Sequence, residues 1–166
     1  MTRSNSVVCV LLAGVMSLWL GVASAKTVAA SQWQTPLTNE AMKTTLAHYK
    51  GQVIWLDFWA SWCGPCRASF PWLNKMQQRY AKKGLKVIAV NVDEDKEAAK
   101  KFLHHIPASF QVSFDPEGTA PALFDIQGMP TSVLIDRQGE IHLFHIGFHK
   151  AQEAKLESLI KKTLNL

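Results

Sequence analysis

The sequence is poor in cysteine, with three in 166 residues: Cys9, Cys63 and Cys66. We expect Cys9 to be lost, because it lies inside a hydrophobic leader, so two cysteines remain in the mature chain. Two cysteines exclude a scaffold of several disulfides and a zinc site with four cysteine ligands. The mature chain must therefore fold around an ordinary hydrophobic core.

Long apolar runs and repeats are also missing from the mature chain. No stretch after the leader is long enough to cross a membrane, and no internal repeat or low-complexity region is present. Lysine and arginine outnumber aspartate and glutamate by 18 to 13, but no stretch interleaves the basic residues with aromatic ones. We interpret the lysine pairs as solvated helix faces, so nucleic acid is not an expected partner.

Residues 1–25 are typical of an export signal. Arg3 precedes a long uncharged stretch, and Ala23-Ser24-Ala25 offers the small residues of a cleavage site. The uncharged stretch is long enough that an uncleaved membrane anchor is the alternative. Either interpretation predicts that the rest of the protein lies outside the cytoplasm.

The remainder divides into a polar lead-in at 26–36, which we expect to be flexible, and a single domain at 37–166. A domain of this size buries roughly two-thirds of the surface that its unfolded chain exposes, so it needs no covalent staples. We expect it to be a monomer.

Apolar patterning predicts alternating strands and helices. The predicted strands are 53–59, 85–92, 110–114, 131–136 and 140–146, and the predicted helices are 38–49, 66–82, 94–105, 120–125 and 150–164. The order strand, helix, strand, helix favours parallel pairing through right-handed crossovers, whereas the last two strands form an antiparallel hairpin. The expected class is α/β, with a mixed central sheet flanked by helices.

The motif Trp62-Cys63-Gly64-Pro65-Cys66 follows the most apolar run of the mature chain. At the start of a helix, unpaired N–H groups and the helix dipole stabilise a thiolate, so we predict that Cys63 is the exposed nucleophile and Cys66 the buried resolving thiol. Gly64 leaves access to the sulfur, and Pro65 fits the first helical turn. Trp62 either packs beside the sulfur as a lid or belongs to the core.

Two other interpretations of the cysteine pair stay open at this point. The cysteines could be half of a metal site that scattered histidines complete, or two inert thiols. Asp57 presents a similar choice, because a charge on a buried strand is costly. We expect its carboxyl to be protonated, paired with a polar partner, or retained for proton transfer.

The stretch from Val53 to Pro71, together with Pro130 and the closing hairpin, resembles the thioredoxin fold. The export signal and the segment 110–125 before Met129-Pro130 resemble the TlpA/ResA-like branch of extracytoplasmic thiol-disulfide oxidoreductases, in which such a segment is an insertion before the cis-proline loop. The resemblance covers nearly all of 33–166.

The resemblance implies roles for three residues. Asp57 would take the proton of the resolving cysteine, Pro130 would have a cis peptide bond facing the cysteines, and the backbone of Met129 would hydrogen-bond a substrate strand. Two positions depart from the family patterns. Ala89 stands where thioredoxins often carry a lysine beside the acid, and Ser69 where ResA-like proteins carry a glutamate.

The resemblance also implies a periplasmic thiol-disulfide oxidoreductase with no bound cofactor and no metal. Gly-Pro between the cysteines favours reduction of disulfides in exported proteins, with apocytochrome c as a candidate client and a membrane thiol carrier as electron donor. The alternatives are a disulfide oxidase or isomerase using the same cysteines, a copper-delivery protein, and a non-catalytic interaction module.

Overall fold

The computed structural model describes residues 26–38 and 43–166. The strands are β1 (Pro36–Thr38), β2 (Lys43–Thr45), β3 (Val53–Trp59), β4 (Leu85–Asn91), β5 (Gln111–Phe114), β6 (Thr131–Ile135) and β7 (Ile141–Ile146). The helices are α1 (Ala30–Trp33), α2 (Gly64–Tyr80), α3 (Lys96–His105), α4 (Thr119–Phe124) and α5 (Glu153–Leu164). Short 3-10 turns lie at Leu46–Tyr49, Ala81–Lys83 and Lys150–Gln152.

The central sheet has five strands in the order β5-β4-β3-β6-β7. The first three strands in this order are parallel to one another, and β6 and β7 continue the sheet antiparallel. Every residue of the middle strand β3 is buried, which explains its almost uninterrupted apolar sequence. The predicted α/β class and mixed sheet are confirmed.

The two faces of β3 supply two separate cores. Trp55 and Trp59 face a cluster built with residues of α2 and α5, whereas Ile54, Leu56 and Phe58 face a cluster that the N-terminal segment and α4 complete. Because side chains alternate along a strand, Asp57 points to the same face as the two tryptophans. The only acidic residue of β3 therefore points toward the side of the sheet where the cluster with both cysteines lies.

The predicted helix at 38–49 is wrong within the described residues. β1 and β2 form an antiparallel pair there, and a 3-10 turn follows at Leu46–Tyr49. Thr44 and Thr45 are β-branched and favour a strand, and the buried side chains of Leu37 and Leu46 anchor the segment to the sheet. Residues 39–42, which include part of the predicted apolar side, lie outside the described residues.

The lead-in at 26–36 is packed against the domain, contrary to the expected flexible segment. Thr27 pairs with Glu140, the Val28 N–H donates to the Gly139 carbonyl at 2.8 Å, and the side chain of Val28 is buried. The ordered unit thus begins before the predicted boundary at 37, since backbone pairing to β7 compensates for the polar composition. The predicted export signal lies outside the described residues. Among the helices that are described, none has the length and apolar character to span a membrane.

Candidate active site

Cys63 occupies the N-cap position of α2, and Cys66 lies in the first turn of that helix. The Cys66 backbone N–H donates to the Cys63 sulfur at 3.2 Å, and the two sulfurs are joined in a disulfide with a Cα–Cα distance of 5.3 Å. A Cβ at Gly64 would meet no atom within 4 Å beyond its chain neighbours and its own helix backbone, so no other segment covers this position. The structure therefore presents the oxidised form of a dithiol at a helix N-terminus.

Cys63 is more enclosed than the sequence analysis predicts. Cys66 is fully buried, as expected for the resolving thiol, but Cys63 retains only 4% of its surface in the disulfide form. Cys63 packs into the apolar cluster that contains Trp59 and Phe70, which explains the low exposure. The prediction of an exposed Cys63 is thus wrong for the oxidised state, although Cys63 is the more accessible of the two.

Trp62 is exposed to solvent over 73% of its surface, so the alternative that it belongs to the core is wrong. It lines an open crevice together with Ser61, Arg67 and Phe102, and the Arg67 guanidinium lies 5.2 Å from the centre of the Phe102 ring. A large apolar side chain next to the disulfide is a suitable contact for a protein substrate.

Asp57 is buried beside Ser132, its partner on β6. The Ser132 hydroxyl donates to Asp57 Oδ1 at 2.5 Å, and Oδ2 has no hydrogen-bond partner within the described chain. Burial raises the pKa of Asp57 from its ordinary value of 3.8 to about 7. The Ser132 hydrogen bond acts in the opposite direction, and so does the Trp55 indole, although that N–H lacks the geometry of a normal hydrogen bond. A carboxyl of this kind changes protonation near neutral pH, as an acid–base group must.

The structure locates both positions that depart from the family patterns. Ala89 is the partner of Asp57 on β4, so no cation is supplied from that position. Ser69 is buried and donates from its hydroxyl to the Cys66 carbonyl at 3.0 Å. Its hydrogen bond lies within α2, which leaves Asp57 as the acidic group on this face of β3.

The Met129–Pro130 peptide bond is cis, as the resemblance implied. Pro130 is buried directly before β6, and its carbonyl accepts a 2.8 Å hydrogen bond from the Gly147 N–H. Met129 is half-buried and packs against the cluster that contains both cysteines. The fold therefore brings the Met129-Pro130 loop to the same cluster as Cys63 and Cys66.

The comparisons with known proteins point in one direction. A family model described as Redoxin matches residues 23–160. This chain belongs to the Redoxin family. It is 34% identical over 125 residues to the thiol-disulfide oxidoreductase ResA of Bacillus thuringiensis subsp. konkukian, an alignment that covers 74% of this chain and 70% of that protein. The ResA of Bacillus subtilis is 31% identical over 96 residues, covering 58% and 54%.

Solved structures support the same family. A Chlorobium tepidum protein provisionally called thiol:disulfide interchange protein DsbE is 46% identical, with a TM-score of 0.79 over 84% of this chain and 96% of that one. A second thiol:disulfide interchange protein of the thioredoxin family, from Chlorobium tepidum TLS, is 26% identical, with a TM-score of 0.64 over 74% and 86%. The redoxin is a thiol-disulfide oxidoreductase with a thioredoxin-like fold, which confirms the TlpA/ResA-like resemblance.

Asp93 is a site residue of this redoxin that the sequence analysis missed. It is buried shortly after the end of β4, where its carboxylate accepts from the Ser61 N–H at 2.9 Å, from the Ser61 hydroxyl at 3.1 Å and from the Asn91 amide at 2.8 Å. These bonds tie the segment between β3 and Cys63 to the neighbouring strand. The signal was two polar residues at the carboxyl end of a parallel strand, where α/β proteins place their sites.

Asp93→Ala is expected to lower the free energy of unfolding by about 2–3 kcal/mol, because the buried donors of Ser61 and Asn91 lose a charged acceptor. Urea unfolding of the oxidised protein measures the loss. The control is Glu94→Ala, which removes an exposed neighbouring carboxylate. Equal losses of unfolding free energy in the two variants would contradict the stabilising role of the Asp93 hydrogen bonds.

The redoxin offers little support for a metal site at its cysteines. Within 26–38 and 43–166, a set of three potential metal ligands occurs at Asp136, Glu140 and His142, in the β6–β7 hairpin, and contains neither cysteine. Asp136 Oδ1 already accepts from the Gln138 and Glu140 N–H groups, at 2.9 and 2.8 Å. This set of ligands is separate from the Cys63–Cys66 disulfide.

Proposed function

We propose that this redoxin is a periplasmic reductase of disulfides in exported proteins. The observation that carries the proposal is the Cys63–Cys66 disulfide at the N-terminus of α2, with Cys66 fully buried beneath Cys63. Helix N-termini favour the anionic form of a capping thiol. The Cys66 N–H is already directed at the Cys63 sulfur, so the thiolate needs no rearrangement of the backbone to be stabilised.

The reaction has two steps. In the reduced protein, the Cys63 thiolate attacks a substrate disulfide, forms a mixed disulfide and releases one substrate thiolate. The Cys66 thiol then gives its proton to Asp57 and attacks the Cys63 sulfur, which forms the Cys63–Cys66 disulfide and releases the second substrate thiolate. The substrate gains two electrons and the enzyme loses two.

Two substrate contacts are expected beside the disulfide. The backbone of Met129 before the cis Pro130 is suited to hydrogen-bond an extended substrate segment, and the exposed Trp62 ring offers an apolar contact. Such contacts depend on the backbone and the apolar surface of the substrate more than on its amino-acid sequence, as suits a protein that acts on several clients.

Location and partners follow from the leader and from the relatives. The predicted export signal at 1–25 supports a periplasmic protein, released or tethered according to whether the leader is cleaved. Because that compartment is oxidising, a membrane thiol carrier must return the electrons, and apocytochrome c is a candidate client. We assign no bound cofactor, no metal and no nucleic acid, and we expect a monomer.

The direction of transfer is tested by the reduction potential. Equilibrating the purified protein with dithiothreitol redox buffers, and trapping its thiols at each ratio, is expected to give a value close to the about −270 mV of thioredoxin. A value near the about −120 mV of strong periplasmic oxidants would overturn the reductase in favour of an oxidase or isomerase. Cys63→Ser, which cannot form the disulfide, is the control for non-specific thiol trapping.

A further inference from the structure

Three polar residues form one row across the sheet. Asp57 on β3 is paired with Ser132 on β6, and Ser132 is in turn paired with His145 on β7. Directly opposed residues of antiparallel strands point to the same face, with their Cβ atoms about 4.5–5.5 Å apart. Asp57, Ser132 and His145 are therefore consecutive neighbours on the face that holds the cysteines.

The row is polar within an apolar surrounding. The next residues on this face are Trp55, Leu134 and Leu143, which belong to or pack against the cysteine-containing cluster. Aliphatic side chains would pack better at these three positions than an acid, a hydroxyl and an imidazole, so packing does not explain the row.

Asp57 and Ser132 are already joined by a hydrogen bond, whereas a ring nitrogen of His145 is available for one. Ser132 donates to Asp57 at 2.5 Å. His145 is half-buried, and its Nε2 is buried without a hydrogen-bond partner in the described residues. A buried imidazole nitrogen left in this condition is uncommon, so a transient partner for it is the natural explanation.

His145 also marks where the row reaches the surface. It lines an open crevice between β7 and α5, together with Gln152, Lys155 and Lys162. The row thus runs from the fully buried carboxyl of Asp57 to a place that water can enter.

We propose that Ser132 and His145 are positioning residues that carry protons between Asp57 and solvent. The inference rests on the proposed function, in which Asp57 takes the proton of Cys66. A carboxyl that is enclosed on all sides must release that proton before the next cycle, and the row leads directly to an open crevice.

The transfer conserves protons and needs no co-reactant. Protonated Asp57 donates to the Ser132 oxygen, Ser132 donates its own hydroxyl proton to the His145 Nε2 atom, and the His145 ring releases a proton from Nδ1 to water. The His145 ring must turn toward Ser132 for the middle step, because the two side chains make no direct hydrogen bond in the described structure. The titratable groups on this face of the sheet are Cys63, Cys66 and Tyr80 from α2 and His145 from β7, and the mouth of the crevice adds Lys155 and Lys162 from α5.

Ser132→Ala tests the inner connection. Loss of a hydrogen bond to the carboxylate is expected to raise the pKa of Asp57 above about 7, by about one unit. The infrared band of the protonated carboxyl, followed against pH in the oxidised protein, measures this pKa. Ser132→Thr keeps the hydroxyl and is expected to restore the wild-type value, which a merely structural role of Ser132 would not require.

His145→Gln tests the outlet. Repeated turnover of a synthetic disulfide-bridged peptide, in which Asp57 must release its proton in every cycle, is expected to slow about tenfold, which is less than the ~100-fold typical of losing a whole acid–base group. Imidazole in the buffer is expected to recover most of the lost rate. The control is His104→Gln, an exposed histidine of α3, which should react at the wild-type rate with or without imidazole.

The relay would be overturned by an unchanged Asp57 pKa in Ser132→Ala, or by a His145→Gln rate that equals wild type and ignores imidazole. Neither result would affect the cysteine chemistry. The proposed role of Asp57 would fail separately, through an Asp57→Asn variant that resolves the mixed disulfide at the wild-type rate.

Discussion

Cys66→Ala is expected to abolish turnover and to leave a client protein attached to Cys63 by a stable disulfide. The first step of the reaction needs only the Cys63 thiolate at the N-cap of α2, and this cysteine remains in the variant. The second step needs the buried Cys66 sulfur, so the mixed disulfide has no internal route to break down. Non-reducing electrophoresis of the variant expressed in its native compartment should show higher-mass bands that a reductant removes.

The double variant Cys63→Ser, Cys66→Ala is the matched control, because it lacks the attacking sulfur and should form no such bands. Mass spectrometry of the trapped adducts identifies the clients, and an apocytochrome c among them would support the proposed direction. A complete lack of reductant-sensitive adducts in the single variant would count against the assignment of Cys63 as the nucleophile.

Asp57→Asn is expected to raise the free energy of unfolding of the oxidised protein. The increase should be about 4 kcal/mol larger at pH 8 than near pH 4. The pKa of Asp57 is 3.8 in an unfolded chain and about 7 in the fold. Each pKa unit corresponds to about 1.4 kcal/mol, so ionising this carboxyl costs the folded state about 4 kcal/mol. The raised pKa means that the folded state holds the proton more tightly. Stability from this group therefore falls as pH rises from about 4 to 7, and stays low above.

Urea unfolding at both pH values measures the difference, with wild type and variant compared under identical conditions. The asparagine side chain keeps an oxygen for the Ser132 hydroxyl, and any cost of its unpaired amide is the same at both pH values. The same stabilisation at pH 4 and pH 8 would contradict the raised pKa. The gain in stability should come with a loss of function, since resolution by Cys66 is expected to slow by about 100-fold.

The position of the cysteine pair at a helix start after a buried strand could be predicted from the sequence, because these parts are local. The apolar composition of residues 53–59 predicts a buried strand, and the cysteine motif follows within four residues. The strand, the nucleophile and the start of the helix are therefore close together in the chain. The cis bond before Pro130 came from the family resemblance, since most X–Pro bonds are trans.

The parts that escaped prediction depend on distant pairing. Ser132 and His145 lie in one row with Asp57 because of the register of three strands, and no short stretch of sequence encodes that register. Asp93 likewise acts on Ser61, 32 positions earlier. The apolar spacing of 38–49 favours a helix, whereas contacts of Leu37 and Leu46 with the sheet determine the observed strand pair and 3-10 turn.

The short pairing of 26–28 with the beginning of β7 affects how copies of this protein behave toward each other. The Lys26 carbonyl accepts from the Ile141 N–H at 2.8 Å, so part of the outer border of the sheet is already occupied. Unoccupied borders recruit strands from other molecules and lead to aggregates. Cleavage of the leader after Ala25 would keep this pairing. Removal of residues 26–28 as well would expose the backbone hydrogen-bonding groups at the start of β7, and a strand of a second copy could pair with them.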